Sequence, residues 1–290
     1  MIKNFAENST ALYVVPTPLG NLGDITQRAI DVLRAVDWVA AEDTRHSAPL
    51  LKHIGSSARL LPAHEHNEEG AAQRVIARLT AGESVALISD AGTPAVSDPG
   101  ARLVARVRAA GFRVVPLPGA CAAITALSAA GLSEAHFLFY GFLPPKARAR
   151  EVALRELVAL PYALIFYEAP HRILATIEAL AQVFDADRTL VVARELSKLF
   201  ESIHVGPLPD ALAWLQADAN RQRGEFVLLV SGAKAAKEED AESQRILRLL
   251  LADGLSVKQA TQLTHAISGA GKKALYEQAL ALKAELANEA

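Results

Sequence analysis

Segments rich in β-forming residues alternate with segments of helical periodicity through most of this chain. The stretch "ALYVV" is followed by "DITQRAIDVLRAV", in which Ile25, Ala29 and Val32 share one helical face with Leu33 and Val36. The strand-like stretches "DWVAA" and "SVALIS" are also followed by helical patterns. This alternation predicts a mostly parallel sheet in the first half, because parallel strands need helical crossovers.

The pattern changes near residue 135, which indicates a domain joint. There "LSEAHFLFYGFLPPKARAR" brings aromatic residues, two prolines and a basic cluster, and a second series of strands and helices follows. The charged stretch "AKAAKEEDAES" precedes a remainder with helical patterns only. We therefore predict an α/β fold with an N-terminal α/β domain at 1–134, a C-terminal α/β domain at 135–236 and a helical extension at 237–290.

The unusual residues of this chain follow its predicted strands, and ligands of open α/β sheets bind beyond the carboxyl ends of the strands. The first such loop, "PTPLGNLGD", carries Pro16 and Pro18, which have no N–H to offer an anion. The loop is therefore better suited to a close approach between its backbone and a ligand than to the binding of an anion. Carboxylates in these loops would repel a nucleotide phosphate and accept a cationic or polyhydroxylated ligand. They are Asp24, Glu42, Asp43, Asp90, Asp98, Glu168 and Glu195.

Simpler explanations exist for several of these residues. Asp24, Asn67 and Asp98 stand where the N-cap of a helix is expected, so capping alone accounts for them equally well. The glycines of "DAGTP" and "PGA" also suit ordinary turns. His64 and His66 lack the H-E-x-x-H spacing and have no thiol nearby, so no metal site is predicted.

Composition restricts the class of protein. The chain has 290 residues and a formal net charge of −2, so it has no overall attraction for a polyanion. Its single cysteine, Cys121, excludes a disulfide within the chain, which is typical of a reducing compartment. The sequence lacks an apolar run of signal-peptide type or of membrane-spanning length. We therefore expect a cytoplasmic protein without a membrane association.

The loop motifs, taken together and in order, resemble those of one family. They are "VPTPLGNLGDIT", "AAEDTRH", "LISDAGTPAVSDPG", "VVPLPGACAAITALSAAGL", "GFLPPK", "LIFYEAPHR" and "ARELSK". The set resembles the tetrapyrrole-methylase-like, class III methyltransferases, and among them the ribosomal RNA small subunit methyltransferase I group. The resemblance runs from about Leu12 to Gly232. The C-terminal helices match less strongly.

This resemblance implies a function and a site. It implies S-adenosyl-L-methionine as the cofactor, held in a cleft between the two α/β domains. The implied reaction is methyl transfer to the 2′-hydroxyl of a cytidine in the decoding region of 16S ribosomal RNA, within the small ribosomal subunit. The implied assembly is a homodimer, and "PTPLGNLGD" is expected on the acceptor side of the cleft. The residues implied around the cofactor are Asp90, Ala91, Gly92, Pro94, Pro118, Gly119 and Ala120.

Ribose methylation needs few catalytic groups. The sulfonium is an activated donor, so in-line positioning supplies most of the rate, and a group that accepts the proton of the 2′-hydroxyl helps further. The sequence does not choose this base, nor the residues that hold phosphates. The candidates for the base are Glu42, Asp43, His46, Glu168 and Glu195, and those for phosphate binding at the site are Arg45, Arg172, Arg194 and Lys198.

Basic loops are the candidates for RNA binding, although such patches are often only solvated surface. The tail "SVKQATQLTHAISGAGKKALYEQAL" predicts a helix, a glycine turn and a helix, typical of a helix-turn-helix-like module that docks on RNA. The alternative is a helical cap over apolar surface of the second domain. The predicted RNA contacts are Lys146, Arg148, Arg150, Arg172, Lys198, Lys272 and Lys273.

Two other functions remain open at this point. One is a class III methyltransferase with a small, tetrapyrrole-like acceptor, and the other is a non-catalytic ribosome-associated protein that retains the cofactor cleft. The basic tail and "PPKARAR" argue against the first, because a small acceptor needs neither.

Overall fold

The computed structural model describes residues 10–64, 67–233 and 238–289. The chain divides into two compact units. The first contains the described residues up to Val158 together with Tyr162–Ser231, and it holds two β-sheets. The second contains Ala159–Pro161 and the described residues from Gly232 onward, and it is helical.

The first sheet follows the predicted alternation of strands and helices. Its five strands lie in the order β3-β2-β4-β1-β5, and every ladder between them is parallel. The predicted parallel sheet is therefore confirmed for this half. The elements are β1 (Ala11–Val14), α1 (Gln27–Ala35), β2 (Trp38–Ala41), α2 (Thr44–His53), β3 (Arg59–Pro62), α3 (Glu68–Thr80), β4 (Val85–Ile88), α4 (Ala101–Ala109), β5 (Arg113–Pro116) and α5 (Ala122–Ala129).

Helices cover both faces of this sheet, so its central strands are apolar along their whole length. Strand β4 is buried at every position. Its alternate residues pack in one core with Leu33 of α1 and in the other with Leu103 of α4. Since both faces are filled, a ligand can reach this sheet only at the loops beyond its strand ends.

The second sheet is mixed. Its strand order is β6-β7-β10-β8-β9, and only the β6–β7 ladder is parallel. Strand β10 runs antiparallel between β7 and β8, so Phe226 at its start pairs with Glu168 and Arg194 at their ends. The elements are β6 (Phe137–Phe142), α6 (Ala147–Arg155), β7 (Ala163–Glu168), α7 (Ile173–Val183), β8 (Thr189–Arg194), β9 (Ser202–Pro207), α8 (Ala211–Gln216) and β10 (Phe226–Val230).

Two predicted helix caps are wrong. Asp24 ends a short 3-10 turn, and the hydroxyl of Thr26 caps α1 instead. Asp98 lies outside α4, where Gly100 takes the cap position with a φ of 131°. Asn67 occupies the predicted cap position of α3 but makes no capping hydrogen bond through its side chain. Capping therefore explains neither Asp24 nor Asp98.

The helical unit contains α9 (Glu238–Ala252), α10 (Val257–Ser268) and α11 (Lys272–Glu289). These helices share a small core that includes Leu247, Ala260 and Leu275. Helix α10 starts at a capping box on Ser256 and ends at Gly269, whose φ of 73° is left-handed. The predicted helix, glycine turn and helix are confirmed. Among the described helices of the chain, none is long and apolar enough to cross a membrane.

Candidate functional site

A cavity of about 460 Å³ lies where the strands of both sheets in the first unit end. The loops after β1, β2, β4 and β5 line it from the first sheet. The ends of β6, β7 and β8 and the start of β10 line it from the second. Because ligands of α/β sheets bind at this place, this strand-end cavity is the candidate active site.

The first loop of the chain is joined to the loop after β4 by backbone hydrogen bonds. The N–H of Thr17 donates to the carbonyl of Gly92 at 2.9 Å, and the N–H of Gly92 donates to the carbonyl of Thr17 at 3.0 Å. The Thr17 hydroxyl also donates to the carbonyl of Ser89 at 3.0 Å. Thr17 lies between the two prolines of this loop, so the one N–H there is used to hold the glycine of "DAGTP".

Backbone strain is concentrated at this cavity. Val96 and Leu196 both line it, and each is flanked on both sides by residues in the left-handed region, which non-glycine residues rarely adopt. Such conformations persist only where the surrounding structure enforces them, and they cluster at functional sites. The four residues are Ala95 (φ 67°), Ser97 (φ 61°), Glu195 (φ 51°) and Ser197 (φ 69°).

The charged side chains that line the cavity are all acidic. Among its described lining residues there is no lysine, arginine or histidine. Arg172 and Lys198, outside the lining, pair with Glu168 and Glu225, so the negative charge of the wall comes mainly from the other carboxylates. Such a wall favours a cationic ligand over phosphate, which is the preference that the strand-end loops predict. The lining carboxylates are Glu42, Asp90, Asp98, Glu168 and Glu225.

Asp98 is the carboxylate most affected by this environment. Burial, together with the negative charges of Glu42 and Asp90, raises the pKa of Asp98 to about 6 against the opposing effect of the hydrogen bond from Ser89. A carboxylate with a pKa near neutrality can both accept and release a proton at physiological pH. The sequence left Asp98 open between a helix cap and a strand-end carboxylate that faces a ligand, and the tertiary structure places it in the cavity.

Glu168 ends β7 and is fully engaged by its own neighbours. Its Oε1 accepts the N–H of Ala169 at 2.8 Å and lies 3.2 Å from Nε of Arg172. Its Oε2 accepts the hydroxyl of Thr176 at 2.5 Å. Arg172 also donates to the carbonyl of Leu143 at 2.5 Å. Glu168 and Arg172 are therefore placed to shape the turn between β7 and α7.

Three other candidates for the base, and Arg45 as a candidate for phosphate binding, do not line the cavity. The three are Asp43, His46 and Glu195. The Asp43 carboxylate accepts the N–H of Arg45 at 2.8 Å, and Arg45 Nη2 lies 2.8 Å from Asp43 Oδ2. The Arg45 guanidinium holds the pKa of Asp43 well below its ordinary value. Burial alone would raise the pKa of Glu195, but the N–H of Glu225 and the Lys198 ammonium together lower it. Asp43 and Glu195 are thus poor proton acceptors near neutral pH.

The predicted cofactor residues fall into two groups. Asp90, Ala91 and Gly92 line the cavity, whereas Pro94, Pro118, Gly119 and Ala120 do not. Two residues of the second group, Gly119 and Ala120, contact residues of the loops that line the cavity. A Cβ on Gly119 would lie 2.7 Å from Cβ of Pro16, and the carbonyl of Ala120 accepts the hydroxyl of Thr93 at 2.8 Å.

Apolar lining residues escaped the sequence analysis. Tyr167 lies beside Phe142, with ring centroids 5.6 Å apart, and its hydroxyl accepts the N–H of Ala123 at 3.1 Å. Burial raises the pKa of Tyr167 well above its ordinary value, so the phenol stays neutral. The aromatic residues in "FYEAPHR" and "LFYGF" were the available signal. The missed lining residues include Leu19, Val96, Cys121, Ala122, Phe142, Tyr167, Leu196 and Phe226.

The predicted RNA-binding residues also differ in their surroundings. Lys146 and Arg148 are exposed at the start of α6, whereas Arg150 is buried in the same helix. Lys198 forms ion pairs with Glu195 and Glu225. Lys272 and Lys273 are exposed in the first turn of α11, in the helical unit. His66 lies outside the described residues, so the structure does not describe the histidine pair with His64.

Two family models match the chain. Residues 11–212 match the model described as Tetrapyrrole (Corrin/Porphyrin) Methylases. Residues 237–283 match the model described as the RsmI C-terminal HTH domain. The first match covers the first sheet and four of the five strands of the second sheet, since it ends before β10, and the second match covers most of the three C-terminal helices.

Relatives of similar length carry one name. The chain is 52% identical over 277 residues to Ribosomal RNA small subunit methyltransferase I of Escherichia coli O157:H7, covering 95% of this chain and 96% of that protein. It is 53% identical over 272 residues to the Pseudomonas aeruginosa protein of the same name, covering 93% and 96%.

Solved structures of two methyltransferases share the fold. Uroporphyrin-III-C-methyltransferase from Thermus thermophilus superposes with a TM-score of 0.55 at 22% identity, covering 77% of this chain and 94% of that one. The methyltransferase CobJ superposes with a TM-score of 0.59 at 22% identity, covering 78% and 95%. At this level of identity the likeness extends to the fold alone.

Proposed function

Since this chain belongs to the Tetrapyrrole (Corrin/Porphyrin) Methylases family, we propose that it transfers a methyl group from S-adenosyl-L-methionine to the 2′-hydroxyl of a cytidine in 16S ribosomal RNA. The name of its relatives supports ribosomal RNA of the small subunit as the substrate. The choice of a cytidine ribose in the decoding region rests on the sequence resemblance. The observation that carries the cofactor assignment is the all-acidic charge of the strand-end cavity.

The residues of the cavity fit this cofactor. A volume of about 460 Å³ lies within the range of roughly 300–1,000 Å³ that is usual for small-molecule sites. When bound, S-adenosylmethionine supplies a methyl group already activated on a positively charged sulfur. Asp90 offers a carboxylate to the positive charges of this ligand, and Gly92 lets the backbone approach it closely. The apolar side chains of Val96 and Leu196 exclude water from the same space.

We further propose Asp98 as the residue that accepts the proton of the ribose hydroxyl. It lines the cavity, and its pKa of about 6 lets it act as a base at neutral pH. Glu168 is a weaker candidate because both of its oxygens already accept hydrogen bonds. Glu42 lines the cavity beside Asp98 and contributes to its raised pKa.

A tetrapyrrole acceptor is the less favoured function. Uroporphyrins carry carboxylate side chains, which the carboxylates of the cavity would repel. A helical unit with exposed lysines also has no evident use for a small acceptor. A non-catalytic ribosome-associated protein is the remaining alternative, and calorimetric titration with S-adenosylmethionine tests it, because a scaffold without cofactor binding would show no heat.

The helical extension at 237–290 is proposed as the RNA-docking part of the chain. Lys272 and Lys273 stand at the N-terminus of α11, where the helix dipole disfavours cations, so helix stability does not account for them. An RNA phosphate at that helix end would be favoured by both the dipole and the lysines. Lys146 and Arg148 are proposed as further contacts. A cytoplasmic location follows from the substrate, and the homodimer stays a prediction for light scattering to test.

The decisive experiment is methyl transfer from labelled S-adenosylmethionine, followed by nucleoside analysis of the product. The acceptors are naked 16S RNA, assembled small subunits and whole ribosomes. Label recovered in 2′-O-methylcytidine supports the proposal and identifies the substrate form. Label in a base, in another nucleoside or only in a tetrapyrrole offered in parallel would overturn it.

Salt should separate RNA binding from cofactor binding. RNA affinity is expected to fall steeply between 50 and 200 mM salt, by a log–log slope of about −0.7 per phosphate contact, because bound phosphates release counterions. Cofactor affinity should barely change, since the cofactor carries no phosphate. Parallel fluorescence and calorimetric titrations over this range provide the measurement. Equal salt dependence of the two binding constants would contradict the division between cavity and basic surface.

Truncation after Lys234 tests the helical unit. Because α9, α10 and α11 share their own core, we expect thermal stability and cofactor affinity to stay nearly unchanged while RNA affinity falls roughly tenfold or more. The full-length variant Lys272→Ala/Lys273→Ala is the matched control, since it keeps the helices and removes two charges. A truncated protein that aggregates or melts early would favour the capping alternative instead.

A further inference from the structure

Lys198 follows β8 and lies against the first loop of the chain. A Cβ built on Gly20 would lie 2.4 Å from Cγ, 2.8 Å from Cε and 3.0 Å from Cδ of Lys198. The aliphatic stem of the lysine therefore occupies the space that a side chain at position 20 would fill. Any other residue at position 20 would displace this stem from its present position.

The ammonium group of Lys198 is held by two carboxylates. Its Nζ lies 2.9 Å from Oε2 of Glu225 and 3.1 Å from Oε1 of Glu195. The same Oε1 of Glu195 accepts the N–H of Glu225 at 2.9 Å. Burial would lower the pKa of Lys198, but these two carboxylates raise it. The charge of Lys198 is thus already balanced inside the protein, and the adjacent carboxylates would repel an RNA phosphate.

A second contact joins the same two loops. The hydroxyl of Ser197, a residue with a left-handed φ of 69°, donates to the carboxylate of Asp24. The N–H of Ser197 donates a hydrogen bond to Oε2 of Glu201 at 2.5 Å. The two loops also supply neighbouring parts of the cavity wall, because Leu19 and Leu196 both line it.

We infer that Lys198 is a positioning residue of the strand-end cavity. Lys198 joins the loop that carries Leu19 to the loop that carries Leu196, and it does not bind RNA phosphate. This inference rests on the proposed function, because it takes the cavity to be the cofactor site. It also explains the glycine at position 20 and the carboxylate at position 24. The first loop holds a lysine stem, not an anion.

The test separates the stem of Lys198 from its charge. Lys198→Met keeps an unbranched stem and leaves Glu195 and Glu225 unpaired, whereas Gly20→Ala displaces the stem and keeps the charge. Lys198→Met is expected to weaken S-adenosylmethionine binding about tenfold, as loss of a hydrogen bond to a charged group typically does. Gly20→Ala is expected to weaken it as well, because the displaced stem moves the first loop away from Leu196. In a Lys198→Ala background, Gly20→Ala should have no further effect, since its steric partner is gone.

The salt dependence of RNA binding shows whether Lys198 contacts a phosphate, because loss of a phosphate contact changes its slope. The log–log slope of RNA binding should be the same in Lys198→Met and in the wild type. Gly70→Ala is the control for the glycine change, because its new methyl would meet only Arg74 at 3.8 Å. Unchanged cofactor affinity in Lys198→Met, or a salt slope smaller by about 0.7, would overturn the inference. Wild-type protein without cofactor binding would overturn the proposed function instead.

Discussion

Replacing Gly92 by valine is expected to lower the affinity for S-adenosylmethionine at least a hundredfold while the far-UV circular dichroism spectrum stays unchanged. Gly92 lines the cavity with a φ of +82°, which a β-branched residue adopts only under strain. A Cβ there would lie 3.3 Å from Cδ2 of Leu19, which also lines the cavity. The larger side chain would therefore push Leu19 away and fill ligand space.

The matched control is Gly82→Val. Gly82 has the same φ of +82°, but a Cβ there would meet nothing within 4 Å. The two variants thus share the conformational cost, roughly 1–2 kcal/mol, and differ in the cavity. Calorimetric titration and thermal unfolding of both proteins provide the measurement. Unchanged affinity in Gly92→Val would remove the "DAGTP" loop from the site, and equal loss in both variants would attribute the effect to strain alone.

Asp98→Asn is expected to lower kcat for methyl transfer by roughly 10²–10⁴-fold, the usual contribution of a general base. In the wild type, the rate should rise with pH through about 6 as Asp98 loses its proton, and this limb should vanish in the variant. Cofactor affinity should change much less than kcat. A large loss of cofactor affinity with normal kcat at saturation would assign Asp98 to ligand binding and contradict its role as the base.

The same substitution should stabilise the fold at high pH. The pKa of Asp98 is about 6 in the folded protein against 3.8 as its ordinary value, so between these values the folded state binds more protons than the unfolded state. The free energy of unfolding contributed by this group therefore falls as pH rises from about 4 to 6 and stays low above. Asp98→Asn should raise Tm at pH 8 and change it little at pH 4, whereas Asp210→Asn, at an exposed carboxylate, should alter neither. A lower Tm at pH 8 would contradict the buried repulsion among these carboxylates.

The sequence was most informative where the signal is local. Gly92 and Asp90 were assigned to the cavity from a motif that directly follows a strand, because the end of a strand is visible in the apolar pattern. The lysine-bearing turn of the helical unit was visible for the same reason, since Gly269 ends one helix before Lys272 starts the next.

The roles of individual side chains depend on neighbours that are distant in the sequence, so the local pattern did not determine them. Asp98 has the spacing of a helix cap, yet the helix starts later and the carboxylate lies in the cavity with Glu42 and Asp90. Arg150 belongs to a basic cluster in the sequence, but the helix rotates it into the interior, where it is 6% exposed. In both cases, burial is a property of the packed chain and not of the local pattern.

The sequence by itself determined the alternation of strands and helices, and with it the parallel first sheet and the position of the candidate site residues beyond strand ends. Periodicity suffices for this, since the burial of an apolar face depends on residue spacing. Only the tertiary structure decided which carboxylates share the cavity, that β10 runs antiparallel and brings Glu225 to its edge, and that Gly20 meets Lys198. Those contacts join residues far apart in the chain, and their geometry is fixed by packing of both sheets together.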